Sequence, residues 1–84
     1  MIKYYEVEFT SHKDADEYFC YCMLGVRKPT AKEAEAWFGE EAGFYVSEVL
    51  EISQEEAYID YEMDEYEKRP NRRVFGIGRE AAHG

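Results

Sequence analysis

Two capping boxes limit the folds open to this chain more than any other feature of its sequence. In a capping box, a Ser or Thr hydroxyl accepts the backbone N–H of a Glu three residues later, and the Glu carboxylate reaches back to the Ser or Thr N–H. Thr30 to Glu33 forms the first box, and Ser53 to Glu56 forms the second. The sequence therefore predicts that a helix begins at each of these two places.

The first predicted helix carries its apolar residues on one side. Ala34, Trp37 and Phe38 follow the first box at positions i, i+3 and i+4, which is the spacing of one helix face. Gly43 is the predicted end of this helix, because glycine readily adopts the left-handed conformation that closes a helix.

The second predicted helix runs to about Tyr66, with Pro70 beyond its end. Residues 57–64 also alternate in the manner of a strand. The acid-rich composition and the capping box favour the helix over the strand.

Two further segments are predicted to be strands from their pattern. Residues 2–10 alternate, with Tyr5, Val7 and Phe9 on one face. Residues 44–52 are rich in β-branched and aromatic side chains, which are typical of strands.

Residues 17–25 allow two interpretations. Their short run of aromatic and other apolar residues favours a strand. The spacing of a helix face is also present, in Ala15, Tyr18, Phe19, Cys22 and Met23. We prefer the strand, because the run is short and aromatic.

Together these elements predict a single α+β domain over residues 1–84. We expect a small antiparallel or mixed sheet of three to four strands with two helices, in the order β-β-α-β-α. Both helices are expected on one face of the sheet. Residues 74–77 are candidates for a short closing strand, and residues 79–84 are expected to fray.

Negative charge is concentrated in the middle of the sequence. Residues 33–67 contain thirteen Asp or Glu and no Lys or Arg, and the whole chain has a formal net charge of −9. Aromatic residues make up 17% of the chain, far more than in disordered acidic tails, so we expect a folded body. The charge disfavours direct binding to nucleic acid or membranes and favours a basic protein surface as the partner.

The sequence has no pattern that is typical of a catalytic or metal-binding site. Cys20 and Cys22 form half of a zinc-ligand pattern, but neither a second pair nor a well-spaced His completes four ligands. Asp60, Glu62 and Asp64 resemble the start of a calcium loop, but a glutamate occupies its required glycine position. We therefore expect no enzyme activity, no cofactor and no metal, and reduced thiols in a cytoplasmic setting.

The acids of the second predicted helix are the candidate binding site. On a continuous helix, Glu56, Asp60, Asp64 and Glu67 would form one stripe. The acids of residues 54–67 would present about one charge per 3 Å of axis, close to the ~3.4 Å spacing of phosphates on one DNA strand. Tyrosines between these acids are suited to stack on Arg side chains. The predicted partner-binding residues are Glu55, Glu56, Tyr58, Asp60, Tyr61, Glu62, Asp64, Glu65, Tyr66 and Glu67.

A small chain with this acidic segment, and with tyrosines between the acids of residues 55–67, resembles the small acidic inhibitors made by phages and mobile elements. Among these are the nucleic-acid-mimicking anti-CRISPR proteins, which share no single fold. The resemblance implies a non-enzymatic inhibitor that binds the basic nucleic-acid-binding cleft of a CRISPR nuclease or similar DNA-binding protein by charge mimicry.

Three other interpretations remain open at the level of sequence, one of which is a small enzyme or metal-binding domain. The chain is alternatively a general protein-interaction module, such as an antitoxin-like neutraliser or an assembly adaptor. Such a module would bind through the apolar helix that contains Ala34, Trp37 and Phe38, or through a sheet edge. In the remaining interpretation, the acidic residues serve solubility alone.

Overall fold

The computed structural model describes residues 1–39 and 42–77, which form four strands and three helices. In chain order these are β1 (Lys3–Ser11), β2 (Tyr18–Gly25), α1 (Ala31–Phe38), β3 (Phe44–Ile52), α2 (Gln54–Tyr61), α3 (Met63–Glu67) and β4 (Val74–Phe75). The predicted α+β class is confirmed, and so is the preference for a strand over residues 17–25. The tail that was expected to fray, residues 79–84, lies outside the described residues.

The strands form one mixed sheet in the order β3-β1-β2-β4. β1 is central and pairs antiparallel with both β2 and β3. The closing strand β4 pairs parallel with the end of β2, where Leu24 lies opposite Val74 and Gly25 lies opposite Phe75. The outer strands of the sheet are therefore β3 on one side and the very short β4 on the other.

Different helices cover the two faces of the sheet. Tyr5 and Phe9 of β1 belong to a buried cluster that includes Ala34 of α1. Tyr4, which the alternation of β1 directs to the other face, belongs to a second cluster with Ala57 of α2. The expectation that both helices lie on one face is therefore wrong.

The physical reason is that the strands bury apolar side chains on both faces. Met23 and Leu24 are neighbours in β2, and each is almost completely buried. Met23 packs in the cluster beneath α1, and Leu24 packs in the cluster beneath α2 and α3. A sheet with helices on one side would leave one of these two side chains in water.

Helix α1 begins at the predicted capping box. Glu33 N–H donates to Thr30 Oγ1 at 3.2 Å, and Thr30 N–H donates to Glu33 Oε1 at 2.9 Å. The helix ends at Phe38, and Gly39 follows it with φ of 86°. The prediction that Gly43 ends this helix is wrong, because Gly43 lies in the turn that precedes β3.

The second predicted helix begins as expected but is divided into α2 and α3. Ser53 Oγ accepts the N–H of Glu56 at 3.0 Å. Glu62, between the two helices, has the left-handed conformation with φ of 52° and ψ of 39°, and its N–H donates to the carbonyl of Ala57. The prediction of one continuous helix to about Tyr66 is therefore wrong, and the carboxylates do not form one stripe.

The division of the helix follows from what must be buried. Ala57 and Met63 belong to the same buried cluster. On a continuous helix, residues six apart are rotated by roughly 600°, which leaves their side chains about 120° apart. The left-handed Glu62 changes the direction of the chain, so that both side chains reach the sheet.

Candidate binding surfaces

The outer side of α2 exposes carboxylates around one large apolar side chain. Ile59 is 73% exposed, whereas Ala57 is completely buried against the sheet. Residues three and four apart are neighbours on a helix surface, so Glu55 and Glu56 lie beside Ile59. We refer to the exposed residues Glu55, Glu56, Ile59, Asp60 and Glu62 as the acidic helix face.

No described residue neutralises the carboxylates of the acidic helix face. The ion pairs within residues 1–39 and 42–77 are Lys3–Glu51, Arg27–Glu33 and Lys68–Glu65. None of these pairs involves Glu62 or the three carboxylates of α2, so no described Lys or Arg holds them in an ion pair.

Two of the predicted tyrosine anchors are held by hydrogen bonds within the protein. The Tyr61 hydroxyl donates to Glu6 Oε2 at 2.6 Å, and the Tyr58 hydroxyl donates to Glu67 Oε2 at 2.8 Å. Burial and the Glu6 hydrogen bond raise the pKa of Tyr61, and the hydrogen bond to Glu67 raises the pKa of Tyr58. Both rings also pack against the cluster beneath α2 and α3, so they stabilise the fold.

The predicted site residues of α3 are also engaged within the protein. Glu67 accepts a hydrogen bond from the hydroxyl of Tyr4 as well. Glu65 is held in its ion pair, and Asp64 is half-buried. Tyr66 packs against the core, and its hydroxyl accepts a backbone N–H at 2.9 Å. The structure therefore brings together the acids of α2 and separates them from those of α3.

Three carboxylates lie near Cys20 on the face of the sheet that α2 covers. Glu6 and Glu8 project from β1, and Glu48 of β3 lies opposite Glu8. We refer to these three as the sheet acids. Burial and the negative charges of the sheet acids raise the pKa of Cys20, and burial raises the pKa of Cys22 to about 12. Both cysteines are free thiols, and little of either is thiolate at neutral pH.

A slot along the outer edge of β2 is a feature that the sequence pattern did not reveal. It has a volume of about 270 Å³ and is lined by Tyr21, Cys22, Phe38, Tyr61 and Met63. Small-molecule sites usually begin at ~300 Å³, so this shallow slot is smaller than a typical small-molecule site. The sequence feature that could have indicated this edge is the absence of charged residues and proline from β2. Edge strands usually carry such residues, which prevent pairing with another strand.

The apolar side of α1, which was considered as a docking helix, faces the sheet. Ala34 is completely buried. Trp37 and Phe38 are partly buried and pack against the same core cluster. Arg73 lies over the Trp37 ring, with its guanidinium carbon 3.8 Å from the ring centroid. This helix therefore contributes mainly to the core.

No arrangement typical of a metal site occurs within residues 1–39 and 42–77. These residues contain no group of three or more His, Cys, Asp or Glu side chains arranged to hold an ion. The same part of the chain has no helix of the length and apolar character needed to cross a bilayer.

Comparison with protein-family models, curated proteins and solved structures finds no match to this chain. Functional arguments therefore rest on the surfaces described above.

Proposed function

We propose that this protein is a non-enzymatic inhibitor that binds the basic nucleic-acid-binding cleft of a CRISPR nuclease or a similar DNA-binding protein. The binding surface is the acidic helix face. In this proposal the protein acts in the cytoplasm, where its partner would otherwise bind DNA or RNA.

The observation that carries the proposal is the density of charge on the acidic helix face, which no described residue neutralises. Four exposed carboxylates lie within residues 55–62, on the outer side of one short segment. Three of them, Glu55, Glu56 and Asp60, lie on α2 itself, where a rise of ~1.5 Å per residue places them within about 8 Å, or roughly one charge per 4 Å. The phosphates of one DNA strand have a similar spacing of ~3.4 Å. A groove that binds a nucleic-acid backbone therefore meets a comparable row of negative charge.

Ile59 supports binding to a protein surface over a purely solubilising role. An apolar side chain that is 73% exposed contributes little to the buried core. Binding energy usually concentrates in a few apolar or aromatic residues surrounded by polar ones. In a basic cleft, the carboxylates would pair with Arg side chains while Ile59 is removed from water.

The charge on α2 also opposes the stability of the helix. Glu56 and Asp60 are four residues apart and repel each other, at a cost of a few tenths of a kcal/mol. No described Lys or Arg offsets this repulsion. A surface that lowers stability without such compensation is consistent with a role in binding.

The test is inhibition of DNA cleavage by a panel of CRISPR nucleases loaded with guide RNA, at low and at high salt. The binding variant combines Glu56→Lys with Asp60→Lys. The control variant combines Asp16→Lys with Glu17→Lys, which changes the charge equally in the exposed turn at the opposite end of the sheet. We expect inhibition that weakens steeply with salt. The binding variant should lose roughly 30-fold or more in potency, and the control should lose little.

Two outcomes contradict the proposal. One is equal inhibition by the parent and the binding variant, and the other is an affinity that does not change between low and high salt. If the panel shows no inhibition and a lysate pull-down retains a partner at high salt, the general interaction module becomes the better assignment.

A further inference from the structure

Within residues 1–39 and 42–77, no strand pairs with the outer edge of β2 along most of its length. β4 pairs only with Leu24 and Gly25, so residues 18–23 have a partner strand on the β1 side alone. The sequence of β2, YFCYCMLG, contains neither a charged residue nor proline. Unprotected uncharged edges of this kind are the ones that pair with another strand.

Hydrogen bonds at the two ends of β2 show which backbone groups face outward. Glu17, just before β2, accepts a hydrogen bond from β1 at 3.0 Å, whereas the N–H of Val26, just after it, donates to β4 at 2.9 Å. Because backbone groups alternate in direction along a strand, the odd-numbered residues of β2 bond to β1. The N–H and C=O groups of Tyr18, Cys20 and Cys22 therefore point away from β1, toward the open edge.

The other edge of the sheet is protected in three ways that β2 lacks. A bulge interrupts the pairing of β3 with β1. The Val46 N–H donates to Glu35 Oε2 of α1 at 3.0 Å, so one backbone group of β3 is already occupied. Glu48 and Glu51 place charges along the strand. The contrast with β3 indicates that the edge of β2 is the surface adapted for pairing.

Side chains from both faces of the sheet border the open edge and form the slot. Phe38 of α1 borders one side, and Tyr61 and Met63 at the junction of α2 and α3 border the other. Tyr21 and Cys22 of β2 complete the lining. The slot therefore has the β2 edge along it and apolar walls on both sides, a shape that suits an extended chain.

The two sides of the slot differ in chemistry. On the α1 side, Phe19, Tyr21 and Phe38 form a continuous aromatic surface, with neighbouring ring centroids about 5 Å apart. On the α2 side, Glu8 of β1 lies opposite Cys20, one strand behind the open edge. Successive side chains of a strand point to opposite faces, so a strand added to β2 would direct alternate residues toward the aromatic rings and toward the Glu8 carboxylate.

We propose that this slot binds an extended segment of a partner protein in which apolar residues alternate with Lys or Arg, and that the segment adds a strand to β2. Backbone hydrogen bonds to Tyr18, Cys20 and Cys22 supply the pairing, and the alternating side chains supply the specificity. The occupant is a basic partner segment and not a second copy of this chain, because two copies with a net charge of −9 each repel. This inference uses a different surface from the acidic helix face and does not depend on the inhibitor proposal.

The first test uses a synthetic six-residue peptide that alternates Lys with Val or Leu, and a control peptide of the same composition with its Lys residues grouped at one end. Binding is followed by the backbone amide resonances of the ¹⁵N-labelled protein. We expect the alternating peptide to shift the amides of residues 18–23 and the grouped peptide to bind roughly tenfold more weakly. Shifts confined to α2, or equal binding of both peptides, would overturn the proposal.

The second test identifies the backbone hydrogen bonds. Two versions of the alternating peptide carry N-methyl groups on alternate residues, one version on the odd-numbered set and the other on the even-numbered set. In a paired strand only one set of N–H groups faces β2. One version should therefore lose roughly tenfold or more in affinity, while the other binds like the parent peptide. Equal behaviour of the two versions would contradict strand addition.

A matched pair of protein variants tests the same contact from the other side. Cys20→Pro removes an N–H that points to the open edge, and edge strands tolerate proline at such positions. Cys20→Ala keeps the N–H and removes only the thiol. We expect weaker peptide binding with Cys20→Pro and unchanged binding with Cys20→Ala. Thermal melts show whether each variant is folded. If the proline variant unfolds, the two N-methylated peptides decide the question. If the parent protein sediments as a dimer and Cys20→Pro sediments as a monomer, the edge binds a second copy of the chain. That result would overturn the proposed occupant.

Discussion

The hydroxyl of Tyr61 donates a hydrogen bond of 2.6 Å to Oε2 of Glu6, and thereby joins the end of α2 to the central strand of the sheet. The contact lies between the acidic helix face and the sheet acids, and it fixes the position of one relative to the other. It also removes one carboxylate of the sheet from the set that is free to bind a partner. The contact is therefore structural, and its loss has a measurable cost.

We predict that Tyr61→Phe lowers the free energy of unfolding by about 1 kcal/mol, because the Glu6 carboxylate loses its donor in a partly buried site. Urea unfolding measures the change. Tyr18→Phe is the control, because the ring of Tyr18 is 62% exposed, and its stability should match that of the parent. Equal stability of the parent and Tyr61→Phe would show that this hydrogen bond contributes nothing.

We predict that Glu62→Gly stabilises the protein by about 0.5–1 kcal/mol. Glu62 is the one non-glycine residue with positive φ within residues 1–39 and 42–77. In this left-handed conformation a side chain carries a steric cost of ~1–2 kcal/mol, which exceeds the entropic cost of glycine. Ile59→Gly is the contrasting variant, since glycine within a helix should destabilise by roughly 0.5–1 kcal/mol. The left-handed assignment fails if both glycine variants lower the urea midpoint.

We predict that both cysteines react slowly with iodoacetamide at neutral pH and that Cys20 reacts before Cys22. Burial and nearby carboxylates raise the pKa of Cys20, and burial raises the pKa of Cys22 to about 12. A raised pKa leaves less of the reactive thiolate. Mass spectrometry of the alkylated protein gives the order, and denaturant should make the two rates similar. Rapid labelling of Cys22 in the folded protein would contradict its burial.

We predict that the stabilising effect of Glu33 disappears in acid. The hydrogen bonds from Arg27 lower the pKa of Glu33 to about 2, from an ordinary value of 4.5. A group whose pKa is lowered by folding stabilises the protein above its unfolded pKa, and the effect is lost as the pH falls through the folded value. The parent should therefore melt above Glu33→Gln at neutral pH, and the difference should shrink between about pH 4.5 and about pH 2.

The matched control for Glu33→Gln is Glu55→Gln, because Glu55 is exposed in the first turn of α2 and forms no ion pair with a described residue. Its melting temperature should differ little from that of the parent at any pH. If the two variants show the same pH dependence, the contact between Arg27 and Glu33 does not stabilise the fold.

Local signals in the sequence predict most of the elements of this fold, because capping and alternation act over a few residues. Thr30 and Ser53 mark the starts of α1 and α2 correctly. The division at Glu62 could not be predicted, because it depends on Met63 reaching a cluster built by distant strands. The covering of both faces could have been inferred from Met23 and Leu24, which are adjacent apolar residues in one strand.

The candidate surfaces were harder to predict than the fold. Composition and the capping box placed the acids of residues 55–67 on a helix, but they could not separate Asp60, which is exposed, from Glu67, which accepts two tyrosine hydroxyls within the protein. Hydrogen-bond partners of that kind lie far apart in the sequence. The slot also depends on tertiary structure, since it joins β2 to the end of α1 and to the junction of α2 and α3.

The short strand β4 has a consequence for the length of any segment that pairs with β2. Val74 and Phe75 occupy the last two positions of that edge and are both buried. Six residues remain, and at ~3.3 Å per residue they span about 20 Å. A longer segment would have to expel two core side chains to continue its pairing. A segment that pairs with β2 is therefore limited to about six paired residues, and a longer segment would form no further backbone hydrogen bonds to this edge.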